Sequence, residues 1–154
     1  MIGILGTKKR NLIVLLQWEN FLTNSLRTTG SPYSLGKNVT LDEKLEAFRG
    51  QCAFRQYIPS KPAKYGIQTL ALVDTRLFHT SNIEIYAGMQ PEGPFSISNK
   101  SRDVVCRTVT PLVNSGRNLT AGNWFSDVSL LEDSTKEKNS FFGTLKRNKW
   151  QIPY

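Results

Sequence analysis

Two hydrophobic periods divide the chain. Leu12, Leu15, Leu16, Leu22 and Leu26 recur near helical spacing, with Trp18 and Phe21 on an adjoining stripe. That predicts an amphipathic N-terminal helix packed on the domain behind it. Its apolar run, Leu12 to Leu16, breaks at Gln17 with no small-residue cleavage site after it. It is too short for a membrane span and lacks the form of a signal peptide. Thr28 to Lys37 is rich in Gly, Ser and Pro and reads as a connector. From Val39 to Phe48 the period drops to two, with Val39 and Leu41 on one face and Asp42 on the other. Gly50 to Lys64 is a loop-like stretch holding two prolines. Gly66 to Asp74 reads as a buried strand. Leu77 to Tyr86 reads as its partner, where Ile83 and Ile85 alternate with Asn82 and Glu84.

Gln90 to Asn99 is turn material. The helical period then returns in Val104, Val105, Thr108, Val109, Leu112 and Val113, and Pro111 should kink or end that helix. Asn118 to Ala121 predicts a short strand, Asp127 to Lys138 a helix and Ser140 to Lys146 a last strand. Three consecutive strands followed by alternating helices and strands predict an α/β fold, a mixed sheet with helices packed on it.

Composition narrows the class. A chain of 154 residues, 39% hydrophobic and 21% charged, suits one compact domain with a packed core and excludes wholesale disorder. Twenty Lys and Arg against twelve Asp and Glu leave a net charge of +8. This favours a polyanionic partner, because each cation set against a phosphate releases condensed counterions. Cys52 and Cys106 are far apart and lack ligand-spaced neighbours, which excludes a zinc motif and a disulfide framework.

Longer strings carry more specific information. Asn38-Val-Thr-Leu-Asp-Glu-Lys-Leu-Glu-Ala-Phe-Arg-Gly50 and Phe54-Arg-Gln-Tyr-Ile-Pro-Ser-Lys-Pro-Ala-Lys-Tyr-Gly66 closely resemble the opening of the piggyBac transposase catalytic domain. The resemblance continues through Ala71-Leu-Val-Asp74, Glu84-Ile-Tyr-Ala-Gly88, Asn114-Ser-Gly-Arg-Asn118, Asn123-Trp-Phe125, Gly143-Thr144, Arg147-Asn-Lys149 and Ile152-Pro153. It runs from about Trp18 to the end of the chain. It implies an RNase H-like mixed sheet flanked by helices, the core of the transposases that use three aspartates. Residues 1–37 would form the N-terminal helix and connector, and 38–154 a partial, C-terminally truncated transposase domain.

The family moves DNA by cut-and-paste chemistry on two Mg2+ ions held by those aspartates. Two ions about 4 Å apart clamp the attacking and leaving oxygens, and hard cations want carboxylate oxygens. The resemblance aligns Asp42 with the first aspartate, the lone one remaining here. The second stands directly before Asn-Trp-Phe, where this chain has Gly122, and glycine offers no ligand atom. The third lies beyond the region covered. The site is incomplete, and no bound cofactor is expected. Other carboxylates have structural readings: Asp127 as a helix N-cap, Asp74 as a turn or hydrogen-bonding residue, and Glu43 on the strand face opposite Asp42. His79, the single histidine, reads as a half-buried polar residue.

The basic loop survives the loss of the acidic site. Arg49, Arg55, Lys61 and Lys64 are interleaved with Phe48, Phe54, Tyr57 and Tyr65. Cations contact phosphates, while the rings either stack on splayed bases or pack beneath the loop. Lys146, Arg147 and Lys149 form a second basic group. The leading reading is a transposase-derived DNA-binding domain without catalytic activity, located in the nucleus, binding duplex DNA weakly and in a salt-dependent way. It has no membrane partner, and self-association is left open. Two alternatives remain: a fragment of an active transposase completed by a longer isoform or a partner, and an interaction module that has lost DNA binding. Because a family helix follows the last strand, one sheet face should also bare apolar side chains, from Gly66 to Val73 and from Phe141 to Leu145.

Overall fold

The computed structural model describes residues 33–88, 98–136 and 138–145. The predicted N-terminal helix, the Gln90–Asn99 turn except its last two residues, and the basic group Lys146, Arg147 and Lys149 lie outside them. Elements follow in the order β1 (Asn38–Ala47), β2 (Gln56–Tyr57), β3 (Tyr65–Asp74), β4 (Thr80–Ile85), α1 (Ser101–Thr108), a 3-10 turn (Thr110–Leu112), β5 (Asn118–Ala121), α2 (Val128–Lys136) and β6 (Ser140–Gly143). The strands form a mixed six-stranded sheet in the order β2-β3-β1-β5-β6, with β4 pairing β3. The α/β expectation holds.

The described residues divide into two compact units. One gathers 33–42, 71–82, 100–136 and 138–145. Here β1 runs parallel to β5, Asn38 opposite Asn118 and Leu41 opposite Ala121. β5 in turn runs parallel to β6, Asn118 opposite Ser140 and Ala121 opposite Gly143. Val39, Leu41, Leu119 and Ala121 are buried and form one face of this ladder, as period two requires. α1 buries Val104, Val105 and Thr108. It stops at Thr108, and Pro111 falls inside the 3-10 turn. Proline has no N–H to continue the helical ladder. Arg102 on α1 pairs with Asp133 on α2 at 2.5 Å.

A long-range clamp holds the start of β5. The Arg117 guanidinium donates to the Leu35 carbonyl at 2.9 and 3.1 Å and to the Gly36 carbonyl at 3.1 Å. The Asn118 amide donates to Asn38 Oδ1 at 2.7 Å. The Arg117 bonds satisfy backbone carbonyls of the segment leading into β1, which has no ladder partner of its own at those positions.

The other unit gathers 43–70, 83–88, 98 and 99. Phe54 and Ile85 are buried together, with Cys52, Ile67 and Ala87 packed against them. β2 pairs antiparallel with β3, Gln56 opposite Gly66 and Tyr57 opposite Tyr65. Period two did not reveal β2 because two residues are too few to display a period. Likewise β4 begins at Thr80 and not Leu77, since Thr75–Leu77 form a turn.

The bare sheet face is not found along β3. Gly66, Thr69, Leu70, Leu72 and Asp74 are buried, and Ile67, Gln68, Ala71 and Val73 half-buried. Both parities of the strand are thus shielded from solvent. On β6 Phe141 is buried and Phe142 exposed.

Candidate functional site

The parallel register of β1 and β5 decides the geometry around Asp42. Leu41 stands opposite Ala121, so the next residues, Asp42 and Gly122, leave the ladder side by side. Leu41 and Ala121 are buried, whereas Asp42 is exposed and Gly122 half-buried. An ideal Cβ on Gly122 would lie 4.0 Å from Asp42 Oδ1, and nothing else would come within 4 Å of it. A carboxylate at position 122 would therefore have room to share a cation with Asp42. The glycine present supplies no oxygen from a side chain. Among the described residues no group of three or more His, Cys, Asp or Glu could hold a metal ion. Among the described residues the donor set falls short of what a two-ion site needs.

Gly122 also opens a turn. Phe125 N–H donates to the Gly122 carbonyl at 3.1 Å, and Ser126 Oγ–H donates to the same oxygen at 3.0 Å. Phe125 and Ser126 are buried, while Trp124 stays exposed, edge-on to Phe125 with ring centroids 4.8 Å apart. The Asn123-Trp-Phe125 string therefore builds a hydrogen-bonded corner directly after Gly122. Asp127 accepts the Ser129 N–H at 3.2 Å, the bond of an N-cap on α2.

Asp74 has the structural role its position at a strand end suggested. It is fully buried and accepts hydrogen bonds from Gly36 N–H at 2.5 Å, Arg76 N–H at 2.7 Å, Tyr33 O–H at 2.8 Å and Leu77 N–H at 3.4 Å. The Gly36 and Arg76 amides, then the Tyr33 hydroxyl, hold its pKa down to about 2 against the opposing effect of burial. In return the carboxylate raises the Tyr33 pKa, chiefly by accepting its proton in a hydrogen bond. His79 is half-buried and lies against the Tyr33 ring at 4.3 Å.

In the basic loop the four cations have different surroundings. Lys61 pairs with Glu43 at 3.3 Å, both side chains about one-third exposed. Arg55 donates through Nη1 to the carbonyls of Arg49 at 3.3 Å and Gly50 at 3.1 Å. Its guanidinium carbon lies 5.5 Å from the centre of the Tyr65 ring. Arg49 and Lys64 are exposed.

The aromatics divide too. Phe54 is buried and serves the core, while Phe48 is half-buried. Tyr57 and Tyr65 are 57% and 49% exposed, their rings 4.6 Å apart and tilted by 31°. Sequence alone does not bring these two tyrosines together. The available signal was a Tyr on each side of a short turn containing Pro59 and Pro62, which suits a hairpin.

With this geometry in place, two comparisons converge. The model of a family described as Transposase IS4 matches residues 17–154. Among solved structures the chain is similar to piggyBac transposase, seen by cryo-electron microscopy in a synaptic complex with hairpin DNA. The two are 35% identical with a TM-score of 0.68, over 79% of this chain and 25% of that one. The chain thus spans about a quarter of that transposase's length.

Proposed function

Because the chain belongs to the Transposase IS4 family and is of the piggyBac type, we propose that it is a transposase-derived DNA-binding domain that does not cut DNA. Gly122 beside Asp42 carries the second half of that reading. Strand cleavage in such a site needs carboxylates converging on the cations that stabilise the attacking and leaving oxygens. Here position 122, whose Cβ would stand 4.0 Å from Asp42 Oδ1, has no side-chain oxygen. Asp127, the next carboxylate along the chain, is committed to capping α2.

Binding rests on the basic loop. The similar transposase engages hairpin DNA, and this chain carries a net charge of +8. Arg49 and Lys64 reach solvent and can meet phosphates, whereas Arg55 and Lys61 are partly engaged by loop carbonyls and by Glu43. The reading therefore includes duplex DNA held weakly through phosphates, with steep salt dependence, in the nucleus. Lys146, Arg147 and Lys149 would add to the same interaction.

Incubating the purified chain with a piggyBac-type transposon end and Mg2+ or Mn2+ tests both halves. The expected result is salt-sensitive retention of the DNA without nicking or joining. Metal-dependent cleavage abolished by Asp42→Ala would overturn the inactive reading. Failure to retain DNA at low salt would leave an interaction module instead.

A further inference from the structure

Between Phe48 and Gly66 the chain has four cations, Arg49, Arg55, Lys61 and Lys64, and no carboxylate. In this loop the β2–β3 register sets Tyr57 directly opposite Tyr65. The pair is not sealed into the core. Each ring is about half exposed, and the Arg55 guanidinium lies over Tyr65. A cross-strand aromatic pair that served stability alone would bury more of its surface. Three flat groups meeting at a surface rich in cations suit a flat, anionic ligand.

We propose that Arg55, Tyr57 and Tyr65 form a stacking platform for an unpaired DNA base, with Arg49 and Lys64 meeting the adjacent phosphates. This rests on the DNA-binding reading and narrows its substrate to DNA with unstacked bases. Bases inside an intact duplex are stacked on each other and present only their edges, so a duplex can use the cations but not the rings. A single strand, an open end or a hairpin tip offers both. Arg55 is itself steadied by the Arg49 and Gly50 carbonyls, which preorganises its plane against Tyr65.

Fluorescence anisotropy on the full chain tests the platform with three labelled probes of equal length: an oligothymidylate, an abasic strand with the same phosphates, and a duplex. Stacking should make the oligothymidylate bind roughly five- to a hundredfold more tightly than the abasic strand. Tyr57→Ser or Tyr65→Ser should erase that ratio, bringing the oligothymidylate affinity down to that of the abasic strand. Tyr57→Phe and Tyr65→Phe, which keep the rings, should preserve it. Equal affinity of the wild-type chain for base-bearing and abasic strands would overturn the platform while leaving phosphate binding intact. A ratio that survives both serine substitutions would do the same. If a serine variant unfolds, the wild-type ratio and the phenylalanine variants still decide. Failure of all three probes to bind would instead overturn the DNA-binding reading itself.

Discussion

Asp42 Oδ1 lies 4.0 Å from the point where a Cβ on Gly122 would stand. The adjacency follows from the parallel pairing of Leu41 with Ala121 one residue earlier. The backbone sets these two positions side by side, and only one of them carries a carboxylate.

Gly122→Asp should therefore create part of a cation site without rebuilding the strand. Outside its chain neighbours, a Cβ there meets nothing nearer than the Asp42 oxygen at 4.0 Å. Two carboxylates this close repel each other when no cation is present, so the variant should melt slightly below wild type in chelator. Added Mn2+ should raise its melting temperature and leave wild type unmoved, because only the variant gains a bound state to stabilise. Calorimetric titration should give a dissociation constant of roughly millimolar for the variant, as expected for few ligands and a mobile site. An unresponsive variant would mean that the two positions diverge in solution.

Asp74→Asn should lower the melting temperature by about 5–10 °C near neutral pH. The asparagine amide would turn a donor toward Gly36 N–H or Arg76 N–H, both donors themselves. The sign of the pH effect is fixed by the depressed carboxyl. Its contribution is complete above the unfolded value of 3.8 and fades as pH falls toward about 2. Wild type and variant should accordingly differ most above roughly pH 5 and converge only as pH falls below about 2. Thermal unfolding followed by circular dichroism across that range checks it.

This carboxylate also illustrates what the sequence could and could not reveal. Its place at the end of a strand was legible from Gly66 to Asp74. Its partners Tyr33 and Gly36 were not, because they lie 41 and 38 residues away in a connector without periodicity. β5 was legible residue for residue, since alternation over Asn118–Ala121 ends at a turn. The placement of Gly122 beside Asp42 depended on strand register, which four residues do not dictate. For that the long matching strings were needed, and the ladder then supplied the geometry. Alternation of charges and rings marked the basic loop, but only the fold distinguishes the exposed Tyr57 from the buried Phe54.

Arg49→Ala with Lys64→Ala should flatten the slope of log affinity against log salt by about two units, near one for each phosphate no longer neutralised. Lys64 has a positive φ of 55°, but alanine shares its Cβ, so the exchange adds no new backbone strain. Arg55→Ala with Lys61→Ala should change the slope less, because Glu43 and the loop carbonyls already engage those side chains. Filter-binding titrations over a salt series separate the pairs. Equal slopes for wild type and the Arg49/Lys64 variant would remove the loop from the interface.

Gly66→Ala tests the sheet. Gly66 is buried, and a Cβ there would run into the Glu46 carbonyl on β1. Backbone cannot swing aside as a side-chain tip can, so the strands must separate locally. The expected loss is about 2–3 kcal/mol in urea unfolding. A neutral substitution would show that the strands can part at that point without penalty.

The pairing of Asn38 with Asn118 joins positions 80 residues apart, and it has a consequence in time. β1 leaves the ribosome long before the strand that will cover its flank. At about 5–20 residues per second, β5 follows after roughly 4–16 s. Through that interval Val39 and Leu41 lack their partners Leu119 and Ala121, and an open strand edge can recruit a neighbouring chain. Nascent chains should consequently pass through a stage vulnerable to aggregation, with closure of the β1–β5 pair as the slow step of maturation and intermolecular pairing as its concentration-dependent competitor.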